Sequence, residues 1–229
     1  MADSALELEK AAAAARAVDE VRDDMLVGLG SGSTSAYVVR RLGECVAEGL
    51  RITATATSHA TETLARSLHI PLRPFAELSA VDVTIDGVDE IDPQLRAIKG
   101  GGGAHVREKI VAAASVRMIA VADSSKPVAV LGAKFPLPLE VLPFASAYVQ
   151  RVLRERGLPL TQRVGRDGAP VVSDQGNWLF DMRTGPIESP ETLAAELAEI
   201  PGVIGHGLFL TEIDLAIIAR GEQVDVIAR

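Results

Sequence analysis

Between Asp86 and Lys109 the chain reads DGVDEIDPQLRAIKGGGGAHVREK. Four carboxylates, Asp86, Asp89, Glu90 and Asp92, stand within seven residues, and Lys99 precedes four consecutive glycines, Gly100 to Gly103. Clustered acids repel, and each glycine in regular structure costs roughly 0.5–1 kcal/mol relative to alanine. A segment that carries both costs directly after a strand-like run (Val81, Val83, Ile85) reads as an active site. The chemistry it suggests is removal of a proton from carbon next to a carbonyl, which needs a positioned base and a cation or donor for the developing oxyanion. Glu108, about five residues into the helix after the glycines, is the candidate base. Lys99 and the backbone N–H groups of Gly100, Gly101, Gly102 and Gly103 are candidates for the oxyanion. Asp86 and Asp89, three apart, can reach two adjacent hydroxyls, and packed carboxylates raise one another's pKa, which suits acid–base work near neutral pH. A solvated Glu108 paired with Arg107 or Lys109 is the competing reading, and the neighbouring loop outweighs it. No metal is expected: the acids do not follow the Ca²⁺-loop spacing, and no two of the four histidines stand at metal-ligand spacing.

A second feature is Gly28-Leu29-Gly30-Ser31-Gly32-Ser33-Thr34, between a short strand and a helix. Glycines for close approach, three hydroxyls and a helix N-terminus make a phosphate cradle. It is not a Walker loop, and no acid follows the second strand to hold a ribose, so a dinucleotide is disfavoured and an NAD-dependent dehydrogenase with it. Ser58, His59 and Thr61 read as caps of their own helix, with Glu62 as a capping-box partner. Asp123-Ser124-Ser125-Lys126-Pro127 adds a cation, Lys126, suited to phosphate.

These turns need elements to hold them. Helices are expected over about 4–20, 33–48, 58 onward and 104–115, alternating with strands at 25–27, 52–56, 81–85 and 118–122. Such alternation means a parallel sheet covered on both faces, with ligands beyond the carboxyl ends of its strands. The turns 28–34, 57–62, 86–103 and 123–127 all open on that rim. The alanine run near the start reads as a surface helix. Near Gly132 the pattern changes. KFPLPLEVLPFA reads as a link, followed by a helix (145–156), short strands near 160–164, 170–173 and 177–182, and a helix near 190–199. The fold class is therefore α/β: a Rossmann-like domain of residues 1–131 plus 206–229, with a small α+β, ferredoxin-like domain inserted at 132–205. The last apolar strand, 215–219, rejoins the first sheet.

The chain has 229 residues with a formal net charge of −8 and no dense basic run, which argues against nucleic acid. Neither a signal peptide nor an apolar run of membrane length is read, so no membrane is expected. The single cysteine, Cys45, fits a small core side chain in a reducing, cytoplasmic setting.

GLGSGST, TSHATETLA, DGVDEID, IKGGGGAHVREKI, DSSK, KFPLPLEVLPFA, GNWLFD and GVIGHGLF occur in that order. Together they resemble type A ribose-5-phosphate isomerase over nearly the whole chain. The resemblance implies reversible conversion of D-ribose 5-phosphate to D-ribulose 5-phosphate, with neither metal nor organic cofactor, by a homodimer or homotetramer. It implies that Glu108 carries the proton between C1 and C2. Asp86 and Asp89 would bind hydroxyls and assist ring opening and proton transfer between oxygens, and Lys99 would stabilise the enediolate. Substrate binding falls to Ser31, Gly32, Ser33, Thr34, Gly87, Val88, Gly100, Gly101, Gly102, Lys126 and Lys10. Ser31 stands where threonine is usual, Val88 where alanine is common, and His105-Val106 where residues are often apolar. The alternative is a sugar-phosphate-sensing regulatory domain, which needs the cradle but not Glu108.

Overall fold

The computed structural model describes residues 2–229. In chain order its elements begin with α1 (Ala2–Val18), β1 (Leu26–Leu29), α2 (Ser33–Ala47), β2 (Thr53–Ala56), α3 (His59–Ser67), β3 (Val81–Gly87), β4 (Glu90–Ile91) and β5 (Ala97–Ile98). There follow α4 (His105–Ala113), β6 (Ser115–Ala122), β7 (Leu137–Val141), α5 (Ser146–Glu155), β8 (Leu160–Gln162), β9 (Trp178–Met182), α6 (Pro190–Ala198), β10 (Val203–His206), β11 (Leu208–Phe209), β12 (Leu215–Arg220) and β13 (Gln223–Ala228). They fall into two compact units.

The first unit takes the chain up to Val88, Arg107–Pro127 and Thr211–Arg229. Its sheet runs β13-β12-β6-β3-β1-β2, parallel except for the terminal β12–β13 hairpin. The apolar runs of β6 and β12 are buried almost throughout, as strands covered on both faces require. Because β1 lies between β2 and β3, successive connections leave it in opposite directions. The crevice beyond the ends of β1 and β3 is thus the topological switch point, where ligands of such sheets bind. The alanine helix is not a mere surface element: Ala13, Ala14 and Ala17 are buried, and their small side chains let α1 lie close against α2, β6 and β12. The hairpin partner β13 is an addition to the expected elements.

The second unit takes Asp89–Val106 and Val128–Leu210. Its main sheet, ordered β10-β7-β9-β8 and antiparallel, carries the β-α-β-β-α-β succession of a ferredoxin-like layer. KFPLPLEVLPFA is no link. Its Leu137–Val141 is a central, fully buried strand, with Leu139 and Val141 in a core shared with Val149, Leu153 and Phe180. Proline is tolerated there because the ladder with β10 ends at Leu139↔His206, and the Pro138 carbonyl still accepts from Gly207 N–H at 2.8 Å. Residues 170–173 contribute only isolated bridges, Val164↔Pro170 and Val172↔Trp178. A small sheet, β11-β5-β4, has no counterpart in the sequence reading. It explains why residues 89–106, expected with the parallel sheet, pack in this unit: β5 pairs with β11, and Glu90 accepts N–H groups from Gly132, Lys134 and Phe135.

Candidate active site

At the end of β1 the backbone closes on the carboxylate at the end of β3. A Cβ on Gly30 would stand 2.1 Å from Asp86 Oδ1, so only glycine fits. Asp86 is fully buried, and its Oδ1 accepts from Ser31 N–H (2.9 Å), the Ser35 hydroxyl (2.9 Å) and Gly87 N–H (2.8 Å). Gly87 N–H also meets Ser35 Oγ at 2.8 Å, and Val88 is buried. The carboxylate thus fixes the shape of the glycine-rich turn. Ser31 Oγ lies 2.7 Å from Thr57 Oγ1, which itself donates to the Leu29 carbonyl, so the Ser31 hydroxyl braces the turn. Ser33 is exposed at the start of α2 and Thr34 is buried. The N-cap is Gly32, with no side chain capping the helix. The N–H groups of the first turn of a 15-residue helix are therefore available to an anion.

The next turn serves structure, as the capping reading has it. Ser58 Oγ accepts from Thr61 N–H at 3.1 Å, and Thr61 donates to the Gly30 carbonyl at 2.9 Å. Glu62 does not close a capping box; it pairs with Arg66, one turn on, at 2.6 Å.

Lys10 bonds Glu7 at 2.7 Å, and Glu7 also accepts from Tyr37 Oη at 2.6 Å, which ties α1 to α2. Lys126 is half-buried in a loop whose Asp123 accepts from Ser125 N–H and hydroxyl. A residue the sequence reading missed holds this region. Glu9, 7% exposed, accepts from Ser124 N–H and Gly221 N–H, both at 2.8 Å. The Ser124 hydroxyl first, then these amides, hold its carboxyl below the ordinary value. The signal was present: Glu9 shares a helix row with Ala13 and Ala17, the buried stripe.

In the second unit the glycine loop is held from two sides. Asp89 Oδ2 accepts from Gly101 N–H at 2.7 Å, and a Cβ on Gly101 would stand 2.7 Å from Asp89 Oδ1. Arg163 Nη1 donates to the carbonyls of Gly100 (2.9 Å) and Gly101 (3.1 Å), while its other nitrogens form a bidentate pair with Asp181. Arg163 was likewise missed, since nothing local marks it. The expectation that all four amides face an oxyanion is corrected: that of Gly101 is bound to Asp89 and that of Gly103 to the Gly100 carbonyl at 2.9 Å. Lys99 is 2% exposed, with Nζ 5.4 Å from the Phe209 ring centroid, a cation–π contact. The acids of DGVDEID do not form one repelling cluster. Glu90 pins residues 132–135, and Asp92 accepts from Gln94 N–H, Arg96 N–H and the Arg96 side chain.

Glu108 lies in the first turn of α4 and is 4% exposed, which overturns the solvated-surface reading. Its neighbour Lys109 is pushed down to about 8 by burial, opposed by the Glu212 carboxylate. Chemically, the first unit offers a buried carboxyl group, the candidate base, and an uncapped helix N-terminus, and the second a buried lysine beside a braced glycine loop.

The family model for ribose 5-phosphate isomerase A (phosphoriboisomerase A) matches residues 53–223. The ribose-5-phosphate isomerase A of Sphingopyxis alaskensis is 58% identical, over 95% of each chain. The solved ribose 5-phosphate isomerase A of Methanocaldococcus jannaschii superposes with a TM-score of 0.93 at 37% identity, covering 97% of this chain and 99% of its own. A D-ribose-5-phosphate isomerase in complex with phospho-erythronic acid gives 0.94 at 36% identity, covering 98% and 99%. The chain belongs to the ribose 5-phosphate isomerase A family.

Proposed function

We propose that this chain interconverts D-ribose 5-phosphate and D-ribulose 5-phosphate by proton transfer through an enediolate. The observation that carries this reading is the placement of Glu108 in a family-matched REK sequence, buried on a helix that follows the lysine–glycine loop. In the aldose-to-ketose direction Glu108 takes the proton from C2 and returns it to C1. Lys99 balances the charge on the enediolate oxygens, with Gly100 and Gly102 N–H as the amides left to assist. Asp86 and Asp89 hold substrate hydroxyls and move the proton between O1 and O2, and both already act as acceptors toward fixed N–H groups. The phosphate meets the α2 N-terminus at Gly32, Ser33 and Thr34, with Lys126 and Lys10 as cations and Ser31, Gly87, Val88 and Gly101 shaping the walls. Phospho-erythronic acid, bound by a relative, supports this: its carboxylate carries two oxygens on one planar carbon, as the enediolate does across two. No metal or organic cofactor enters these steps.

A regulatory sensor would have no use for a buried base, and Glu108 favours the enzyme. The homodimer or homotetramer belongs to the same reading. Phe144 is 97% exposed and flanked by exposed Leu142 and Tyr148, apolar area that a second copy would cover. The cytoplasm is its proposed site, consistent with a lone cysteine and a net charge of −8. Among the described residues no helix is long and apolar enough to cross a membrane. A circular-dichroism assay of ribose 5-phosphate conversion, with and without EDTA, tests the function. Steady turnover in both is expected, and no conversion by folded protein would reject it.

A further inference from the structure

The first unit holds a cavity of about 320 Å³ that none of the proposed catalytic or substrate-binding residues lines. It opens at the end of β2, an outer strand of the sheet, between α3 and α4. Its walls carry three guanidinium groups, Arg66, Arg73 and Arg107, beside Leu72 and the half-buried Phe75. One carboxylate, Glu62, also lines it and is paired with Arg66 at 2.6 Å. Arg73 donates to the Glu77 carbonyl at 3.4 Å, so the lining sets three guanidinium groups against one carboxylate. Guanidinium groups gathered on one wall give a positive local field that favours an anion.

The lining also selects among anions. Guanidinium groups take phosphate or carboxylate in planar, bidentate fashion, and Phe75 and Leu72 offer an apolar wall. Thr55, itself buried, is the one uncharged side chain in the lining with a hydroxyl. A sugar would leave most of its hydroxyls unpaired against that wall, at a cost for each. The volume falls in the range of small-molecule sites. From the three arginines and their apolar wall we infer a second binding site, for a compact organic phosphate or carboxylate with an apolar or aromatic body. This ligand is different in kind from the pentose phosphate.

The test is calorimetric titration of the full chain with phenyl phosphate while saturating phospho-erythronic acid fills the first site. A parallel titration with benzoate distinguishes phosphate from carboxylate, and phenol serves as the uncharged control. Saturable binding of at least one anion, with no binding of phenol, is expected. Arg73→Glu should weaken it at least tenfold while ribose 5-phosphate turnover stays within twofold. Arg66→Ala, on the exposed side of α3, should weaken it in the same direction and guards against misfolding of the first variant. Absence of saturable binding for both anions, or affinity unchanged in both variants, would overturn the site. Binding is read independently of turnover, so a failed isomerase assay would leave this result standing.

Discussion

The two units position their functional groups by different means. In the first, backbone geometry does it: strands end at a switch point, a helix begins, and Asp86 gathers the N–H groups of its own turn and its neighbour's. In the second, a loop of four glycines has little intrinsic shape, and side chains distant in sequence impose one. Asp89 holds the Gly101 amide, and Arg163, 63 residues beyond Gly100, holds two carbonyls. Parallel-sheet ends are rigid by construction, whereas the glycine loop is rigid only while its braces stand. Loss of a brace should therefore cost turnover without unfolding the unit.

Among the groups that these two kinds of positioning hold, the largest expected effect falls on the charge that the loop presents. Lys99→Met should lower kcat by about 10²–10³-fold, the scale of removing one oxyanion donor, with a smaller change in KM. A variant within tenfold of wild type would show that the amides suffice. Arg163→Ala should come next, with a loss approaching 10²-fold from misplacement of Gly100 and Gly101, while thermal unfolding moves little. Arg163→Lys should recover little of this loss, because lysine cannot hold two carbonyls and the Asp181 carboxylate with one planar fork. Equal turnover in all three proteins would remove the brace from the account. In the first unit the proposed phosphate contact of Lys126 should matter less. Lys126→Ala should raise KM for ribose 5-phosphate by about tenfold, the equivalent of 1.4 kcal/mol, and leave an unphosphorylated sugar unaffected. Equal effects on both sugars would argue against the contact.

Lys109 offers the smallest and most specific effect. Its pKa is lowered in the folded protein, from the ordinary 10.5 to about 8, so the unfolded chain binds more protons between those values. Stability then rises with pH across that window. Lys109→Met should raise the melting temperature below pH 8, and the gain should shrink as pH climbs toward 10.5. A gain independent of pH would mean that the ammonium is not desolvated.

What was legible in the sequence follows the same division. The βα turns were readable because glycine spacing, caps and apolar runs are local signals: GLGSGST and DG sit where the strands end. Glu108, Lys99, Asp86 and Asp89, the residues proposed for the chemistry, stand out in the sequence for the same reason. The second unit hid its order. β7 reads as a proline-punctuated link because its burial comes from strands whose paired residues lie 37–45 and 62–67 positions away, and β4, β5 and β11 are two residues each, below any periodicity. All four loop amides read as free to face an oxyanion, because their real distribution depends on Asp89 and on the fold of the loop itself. Arg163 carries no mark in sequence. Glu9 did: an acid within a buried alanine row needs fixed partners.

The most direct measurement follows ribose 5-phosphate in deuterated water by proton NMR, with wild type and with Glu108→Gln. The account predicts that wild type forms ribulose 5-phosphate carrying deuterium at C1, and that the variant is slower by about 10²–10⁴-fold while still binding substrate. Ribulose 5-phosphate formed without label, and at the same rate by both proteins, would contradict it.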